Sequence, residues 1–448
     1  MKKNLKTLLI VCFVGISTTA VLKANDTLKI SLKQAIEIGL NKSPTIKIAD
    51  KQLLRVDYSN KEKTAALYPN ISASGSYQRA LKKQRMFFSF PGMPANPDGI
   101  EVGQDNTFVG GISASLPIIS PTLWATLKIN EVDLQLANET ARSSEITLIN
   151  QITKAYYTIL MMQDSYDVFE SNYKNSEAST RIIADKYRLG SVSEFEWLRA
   201  DVQLRNALSN TISAESAVDM SKLQLKTLMG IELSTEIKLE GNLSEYEKAL
   251  YGDLMTIDTT NLKQNTDLKQ YDLRLEQMKK TIDIHKSTWL PSLAASINYQ
   301  YTSMGNDSTS FSKYPWFPTS NAAISLSIPI FQGGAKHYKS KQLKLQMDEM
   351  NLQKVNLKKN LELQANIYVD NMKKSIDKIQ LNKKGLMQAE KAVTISRKMY
   401  EEGVGTFLDL SNSELNQLQA GLSYNQSIYD FISAKADLEK LLGKSMNN

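Results

Sequence analysis

Thiol and imidazole side chains are scarce in this chain: its 448 residues include one cysteine and two histidines. Cys12 lies in an apolar N-terminal segment, after Ile10-Val11, which makes a poor lipidation box. We expect it to be removed with a signal peptide, leaving a mature chain without thiol, disulfide or lipid anchor. That composition excludes a disulfide-stabilised scaffold and a cysteine nucleophile.

Signatures of catalysis and metal binding are missing as well. His285 and His337 are 52 residues apart, and neither has a metal-ligand spacing to a neighbour. We find no Gly-rich phosphate loop, nucleophile elbow or H-E-x-x-H pattern. Gly333-Gly334 follows a strand pattern and is expected to turn the chain from strand into helix. We therefore predict no enzyme activity, no cofactor and no metal site.

Long apolar runs and a strong net charge are also lacking. No segment after the N-terminus has 18 consecutive apolar residues, which excludes a helical membrane protein. The formal charge of +7 falls to +3 without the four lysines before residue 25, and the remaining lysines are dispersed among acids. Neither value nor pattern fits nucleic-acid binding.

The N-terminus predicts export. Lys2-Lys3, the apolar stretch Leu8–Val21 and the small residue Ala24 read as a signal peptide over 1–24, followed by one body over 25–448. A retained membrane anchor is the alternative. Export without a membrane helix leaves the periplasm, the outer membrane or the exterior, assuming a bacterial double envelope.

The body repeats itself, with offsets of 222, 212 and 213 residues. Four segments recur in the same order: Tyr68–Tyr77 as Leu290–Tyr299, Ile112–Ile118 as Ile324–Ile330, Lys186–Gly190 as Met399–Gly403, and Leu228–Gly230 as Leu441–Gly443. Such order predicts two tandem repeats, about 31–230 and 253–443, within one duplicated body.

Four segments alternate with a period of two and predict strands. They cover about 69–78, 107–117, 291–301 and 319–329. One face is apolar, with aromatics toward one end, and the other is small and polar without charge. Two hairpins half-buried on a soluble core are one interpretation. We favour a barrel with lipid outside and water inside, because all four strands carry Ser and Asn on the second face.

Four strands cannot close a barrel, and lipid does not tolerate an open sheet edge. We therefore expect the chain to contribute its strands to an oligomer. Sequence arithmetic permits 8, 12 or 16 strands and does not choose among them.

Long helices follow each strand pair. Leu123–Tyr187 contains neither Pro nor Gly, and His337–Tyr400 contains only Gly385. A helix of ~65 residues is about 97 Å long, and the apolar spacing of 3 and 4 suits coiled coils. Shorter helices are predicted at 194–230, 407–442, 31–66 and 260–288. From their summed lengths, we expect helix 194–230 to stack end to end with helix 260–288, and helix 407–442 with helix 31–66.

The long and returning helices should turn at distal tips near 187–193 and 400–406, where a Gly supplies the left-handed residue.

With these features the chain resembles the TolC-like outer-membrane efflux protein family over essentially its whole mature length. Ser31–Pro44 looks like the opening helix of that family. Leu67–Pro69 and Trp289–Pro291 look like its entries into the barrel.

The resemblance implies a mainly α fold with a small membrane β component. Three subunits would give four strands each to a 12-stranded β-barrel, joined to a trimeric α-barrel tunnel. It further implies a passive outer-membrane duct serving a periplasmic adaptor and an inner-membrane transporter. The residues expected to dock the adaptor are Leu189, Gly190, Ser191, Gly403 and Val404.

The family closes its tunnel with acidic, Tyr and Arg side chains just after these turns. Glu196 and Asp409 match acidic positions, and Tyr400 matches the Tyr. Gly405 falls where Arg can occur and Asn412 where a second acid can occur, so the closing network differs here. Alternatively, Glu196 and Asp409 are solvated acids favoured by the helix dipole.

The other function considered is a periplasmic or surface coiled-coil structural protein with no channel. The strand faces argue against it, because such a protein has no use for four polar faces opposite four apolar ones. The sequence does not identify the cargo: drugs, metal ions, peptides and proteins all leave through ducts of this kind.

Overall fold

The computed structural model describes residues 28–87, 98–247 and 262–444. The predicted signal peptide, 1–24, lies outside the described residues. Within the described ranges, no helix combines the length and hydrophobicity needed to cross a membrane.

The order helix, strand, strand, long helix, shorter helix occurs twice along the chain. The first half comprises β1 Leu28–Ile30, α1 Leu32–Lys42, α2 Pro44–Ala65, β2 Asn70–Arg79, β3 Gln84–Met86, β4 Ile100–Val102, β5 Asn106–Ile119, α3 Pro121–Leu127, α4 Asn130–Arg188 and α5 Glu194–Met229. The second half comprises β6 Ile237–Leu239, the 3₁₀ turn Leu262–Gln264, α6 Thr266–Ser287, β7 Ser292–Gly305, the 3₁₀ turn Phe311–Lys313, β8 Trp316–Ser327, α7 Ala335–Glu401 and α8 Phe407–Leu441.

Two helices are shorter than the sequence pattern suggested. The helix expected over 31–66 is broken between α1 and α2, where Ser43 caps α2 and Pro44 occupies its first turn. Pro lacks the N–H that a continuous helix would use there. The long helix expected from Leu123 is interrupted at Lys128 and Ile129, whose N–H groups bond three residues back, to Ala125 and Thr126.

The short helices stack in different pairs from those expected by length. The C-terminus of α5 abuts the junction of α1 and α2: a Cβ on Gly230 would lie 2.6 Å from the carbonyl oxygen of Lys42. The C-terminus of α8 abuts α6, because the Asn265 side-chain amide donates to the Leu441 carbonyl at 2.8 Å. Each returning helix therefore continues into the first helices of its own half of the chain.

Four of the described strands form one antiparallel sheet in the order β2-β5-β7-β8. Among the described strands, β2 pairs only with β5 and β8 pairs only with β7, so both outer edges are open. Rows across the sheet alternate in character. One row joins Ile71, Ala114, Ile297 and Ala322, and the next joins Ser72, Ser113, Asn298 and Asn321.

The apolar face of the sheet is unusually exposed. Ile71 is 70% exposed, Ile297 60% and Ile324 73%. On the opposite face the Ser72 and Ser113 hydroxyls hydrogen-bond at 2.9 Å. Aromatic side chains lie near both ends: Tyr77, Phe108, Phe311 and Trp316 at one, and Tyr68, Trp289 and Phe331 at the other. The sheet thus shows apolar, not polar, side chains on a face that the described chain leaves uncovered.

Among the described residues, the helical body contains two separate apolar cores. The larger surrounds the parallel pair β1–β6, where the Tyr156 hydroxyl donates to the Ile30 and Glu240 carbonyls at 3.2 and 2.8 Å. From there the hairpins α4–α5 and α7–α8 run to the distal turns. At 67 residues α7 is about 100 Å long. The smaller core lies at those turns.

The packing of the α5 C-terminus against the junction of α1 and α2 predicts a strict requirement for glycine at position 230. Gly230 has φ +69°, and Gly190 has a similar φ of +74° but open space around it. Both Ala variants incur the left-handed penalty of about 1–2 kcal/mol. Only Gly230→Ala adds a collision with backbone, which costs on the order of 1–3 kcal/mol. Thermal unfolding followed by circular dichroism should therefore show a clearly larger drop in melting temperature for Gly230→Ala. Equal drops in the melting temperature of the two variants would contradict this packing.

Candidate functional site at the helical tips

The two helical hairpins turn in the same way. Gly190 and Gly403 have φ +74° and +77°. The N–H of Ser191 donates to the Lys186 carbonyl at 2.8 Å, and that of Val404 donates to the Met399 carbonyl at 3.0 Å. These are the bonds of a Schellman C-cap, which needs a left-handed residue. The turns display apolar side chains to solvent, with Leu189 80% and Val404 73% exposed.

A small apolar cluster joins the hairpins just behind the turns. Its buried members are Ile183, Ala200, Tyr400, Phe407 and Leu410, which come from α4, α5, α7 and α8. Trp197 packs on this cluster and stacks on Tyr187, with ring centroids 5.5 Å apart. The cluster fixes the height at which polar groups of one hairpin meet the other.

Tyr400 connects the hairpins by a hydrogen bond. Its hydroxyl, on α7, donates to Glu196 Oε1, on α5, at 3.0 Å. Burial first, and the Glu196 carboxylate second, raise the pKa of Tyr400. The phenol therefore remains a proton donor at any physiological pH.

A lysine that the sequence pattern did not single out supports Tyr400 from α4. Lys186 Nζ donates to the Tyr400 carbonyl at 2.6 Å and lies 4.4 Å from the centroid of its ring. Its repeat counterpart is Met399, so the repeat gave no signal for a cation here. The reach of Lys186 into the other hairpin is a tertiary contact.

Asp409 is held locally instead. Its carboxylate accepts from the Thr406 hydroxyl at 2.6 Å and from the Thr406 N–H at 3.3 Å. The Asp409 N–H donates back to the Thr406 hydroxyl, which completes a capping box at the start of α8. These hydrogen bonds lower the pKa of the exposed Asp409 carboxyl. Of the two matched acids, Glu196 therefore bonds to Tyr400, and Asp409 bonds to its own helix start.

The two positions that depart from the family pattern lie beside these groups. Gly405 offers only its backbone, whose N–H donates to the Met399 carbonyl at 3.0 Å. Asn412 is exposed on α8. Among the described residues at the tips, the bonds joining the two hairpins next to the turns are those of Tyr400 and Lys186.

Comparison with known proteins agrees with this architecture. The family model described as "Outer membrane efflux protein" matches residues 35–231 and 260–444. The outer membrane protein TolC of Vibrio cholerae is 19% identical over 74% of this chain and 76% of its own length. The alkaline protease secretion protein AprF of Pseudomonas aeruginosa is 19% identical over 75% of this chain and 70% of its own.

A solved structure shares the fold. The CmeC outer membrane channel of Campylobacter jejuni superposes with a TM-score of 0.70 at 18% identity, covering 92% of this chain and 85% of that one. The resemblance seen in the sequence is thereby confirmed, and the structural protein without a channel is set aside. The family is one of channels rather than enzymes. The chain belongs to the outer membrane efflux protein family and is an outer-membrane export duct.

Proposed function

We propose that three copies of the chain form a closed 12-stranded barrel in the outer membrane, continued by a helical tunnel through the periplasm. The observation that carries this is the four-stranded sheet with both edges open and an exposed apolar face. In lipid each unpaired backbone group costs several kcal/mol, so the edges must find strands of other copies. The apolar face then meets lipid, and the Ser and Asn rows line the lumen.

Three features support the membrane placement and the stoichiometry. β5 and β7 have 14 residues each, more than the 9–11 that a spanning strand needs. Aromatic residues at both ends of the sheet suit the two membrane interfaces. Twelve strands, rather than eight or sixteen, follow from the resemblance to the efflux family. The two halves act as structural repeats, so each supplies two strands and one helical hairpin.

The distal tips are proposed as the adaptor-docking surface. Leu189, Gly190, Ser191, Gly403 and Val404 lie at the far end of the helices from the sheet and are exposed. The adaptor would join this duct to an inner-membrane transporter, which selects the cargo. The duct itself is passive.

Tyr400 and Glu196 are proposed to hold the periplasmic mouth narrow, through the hydrogen bond between α7 and α5. In a trimer, Glu196 and Asp409 each form a ring of three carboxylates around that mouth. Such rings attract cations and disfavour anions.

The first prediction from this proposal concerns assembly. Because each sheet has two open edges, the protein purified in detergent should be an obligate trimer. Light scattering should give three chains per particle, and dissociation should abolish the strand signal in circular dichroism. A stable monomer that keeps its strand content would contradict the barrel.

The second prediction concerns the tips. Gly190→Pro and Gly403→Pro should abolish export while leaving trimer and membrane insertion intact, because Pro cannot adopt a positive φ and removes an N–H that caps the helix. The Gly190 and Gly403 N–H groups bond to the Tyr187 and Tyr400 carbonyls. Export in a strain lacking its own duct, together with membrane fractionation, measures both properties.

Gly190→Ala is the matched control. It keeps the N–H and meets open space, so export should persist. If the Pro variants lose insertion together with export, the turns serve folding instead of docking.

The third prediction concerns the mouth. Tyr400→Phe removes the hydroxyl that bonds to Glu196 and should raise the mean conductance in planar bilayers. The effect should be modest, since one hydrogen bond contributes about 1 kcal/mol. Tyr187→Phe is the control at the matched repeat position, where the ring stacks on Trp197, and it should leave conductance unchanged.

Asp409→Asn separates charge from closure in the same experiment. It keeps an oxygen for Thr406 but removes a negative ring, so it should lower cation selectivity without raising conductance. The loss should shrink at 1 M salt, where the Debye length is about 3 Å. If Tyr400→Phe and Asp409→Asn both behave like wild type, the mouth is closed elsewhere.

A further inference from the structure

A layer of buried and partly buried polar side chains lies between the two apolar cores of the hairpins. We call it the polar layer; its residues are Asn175 and Ser179 of α4, Gln203 of α5, Arg397 of α7, and Ser411 and Glu414 of α8. Glu414 is 1% exposed, and Ser179 is equally buried. A carboxylate at such depth is costly unless it is paired and hydrogen-bonded.

Glu414 contacts every other helix of the two hairpins. Its Oε1 accepts from the Ser179 hydroxyl at 2.7 Å, and its Oε2 accepts from the Gln203 amide at 3.4 Å. The Arg397 guanidinium lies 3.6 Å from Oε1. One side chain of α8 is thus tied to α4, α5 and α7.

The remaining groups of the polar layer tighten the same junction. The Ser411 hydroxyl donates to Gln203 Oε1 at 2.6 Å, and Arg397 donates to Asn175 Oδ1 at 2.8 Å. Among the described residues, Arg397 Nε and the Ser176 hydroxyl are buried there without a hydrogen-bond partner.

The polar layer lies directly behind the Tyr400–Glu196 bond, and it includes residues of α5 and α7, the two helices that carry that bond. Arg397 precedes Tyr400 on α7 by three residues, and Gln203 follows Glu196 on α5 by seven. At 1.5 Å per residue these separations are about 5 and 10 Å. Any sliding of α7–α8 against α4–α5 that parts Tyr400 from Glu196 must also disturb the bonds of Glu414.

We propose that Glu414 is a positioning residue of the mouth, holding the two hairpins in the register in which Tyr400 reaches Glu196. This rests on the proposed function of that pair. When the hairpins separate, the carboxylate loses Ser179 and Gln203 while still buried, so separation is opposed until water enters. Burial raises the pKa of Glu414, and the Ser179 hydroxyl and the Arg397 charge offset that rise only in part.

A general stabilising role explains the polar layer less well. Replacing a buried ion pair with apolar residues is often neutral or stabilising, so such pairs are poor evidence for stability alone. Their best-attested use is to specify register between helices. Here the register in question is the one that sets the mouth.

The test is Glu414→Gln in planar bilayers, using the purified full-length assembly. The amide keeps an acceptor for Ser179 but loses the charge that holds Arg397. The ratio of open to closed time should rise roughly tenfold, since a hydrogen bond to a charged group is stronger than a neutral one by about that factor in an equilibrium constant. Ser179→Ala removes the 2.7 Å donor with little change in shape and should shift the ratio in the same direction.

Asp437→Asn is the matched control. Asp437 is also on α8 and pairs with Lys154 of α4 at 2.9 Å, 23 residues beyond Glu414 and about 35 Å farther from the tips. It should lower the melting temperature without changing the open-to-closed ratio. Equal changes in that ratio for Asp437→Asn and Glu414→Gln would overturn the positioning role.

The outcomes distinguish this proposal from the proposal that Tyr400 and Glu196 hold the mouth narrow. Suppose that Tyr400→Phe raises conductance while Glu414→Gln and Ser179→Ala leave the open-to-closed ratio unchanged. Closure of the mouth by Tyr400 and Glu196 is then supported, and the positioning role of Glu414 is wrong. If none of the three variants changes conductance or the open-to-closed ratio, Tyr400 and Glu196 do not close the mouth, and the positioning role of Glu414 is wrong as well.

Discussion

The backbone of β2 and β8 has to be hydrogen-bonded on both sides, and the rest of the structure depends on that constraint. Within the described chain each strand is paired on one side only. The alternating rows of Ile71 and Ser72 give the sheet one face for lipid and one for water. A sheet of this kind is stable only as a share of a larger barrel. In the trimer that we propose, three such sheets would set the spacing at which the helical hairpins of α4–α5 and α7–α8 enclose a tunnel.

Much of this fold can be predicted from sequence because it rests on periodicity. The period-two alternation places the strands within a few residues of β2, β5, β7 and β8, and the absence of Pro and Gly marks α4 and α7 as rods. Length alone could not pair the short helices. That pairing is decided by tertiary contacts, namely the backbone packing at Gly230 and the Asn265 amide on the Leu441 carbonyl.

The candidate site at the tips was also predictable only in part, because the sequence indicates its residues but not their tertiary contacts. Gly190, Gly403, Glu196, Tyr400 and Asp409 stand at repeated or family positions and could be named from the sequence, but their bonds could not. Tyr400 bonds to Glu196, whereas Asp409 bonds to Thr406. Lys186 and Glu414 carry no local signal, since a charged residue on a long helix reads as solvent-facing. Only the packing of four helices shows that Glu414 is buried.

Disulfide cross-linking between the open edges tests the central claim most directly, because the predicted mature chain contains no cysteine. Ser72→Cys in β2 would be combined with single cysteines placed in turn from Phe317 to Ser325 in β8. The account predicts that, in membranes, at least one register forms disulfides between chains. The covalent ladder in denaturing gels should end at three chains, and Ser72→Cys alone should give no ladder. A ladder ending at two or four chains, or no cross-link at any position, would contradict the closed trimeric barrel.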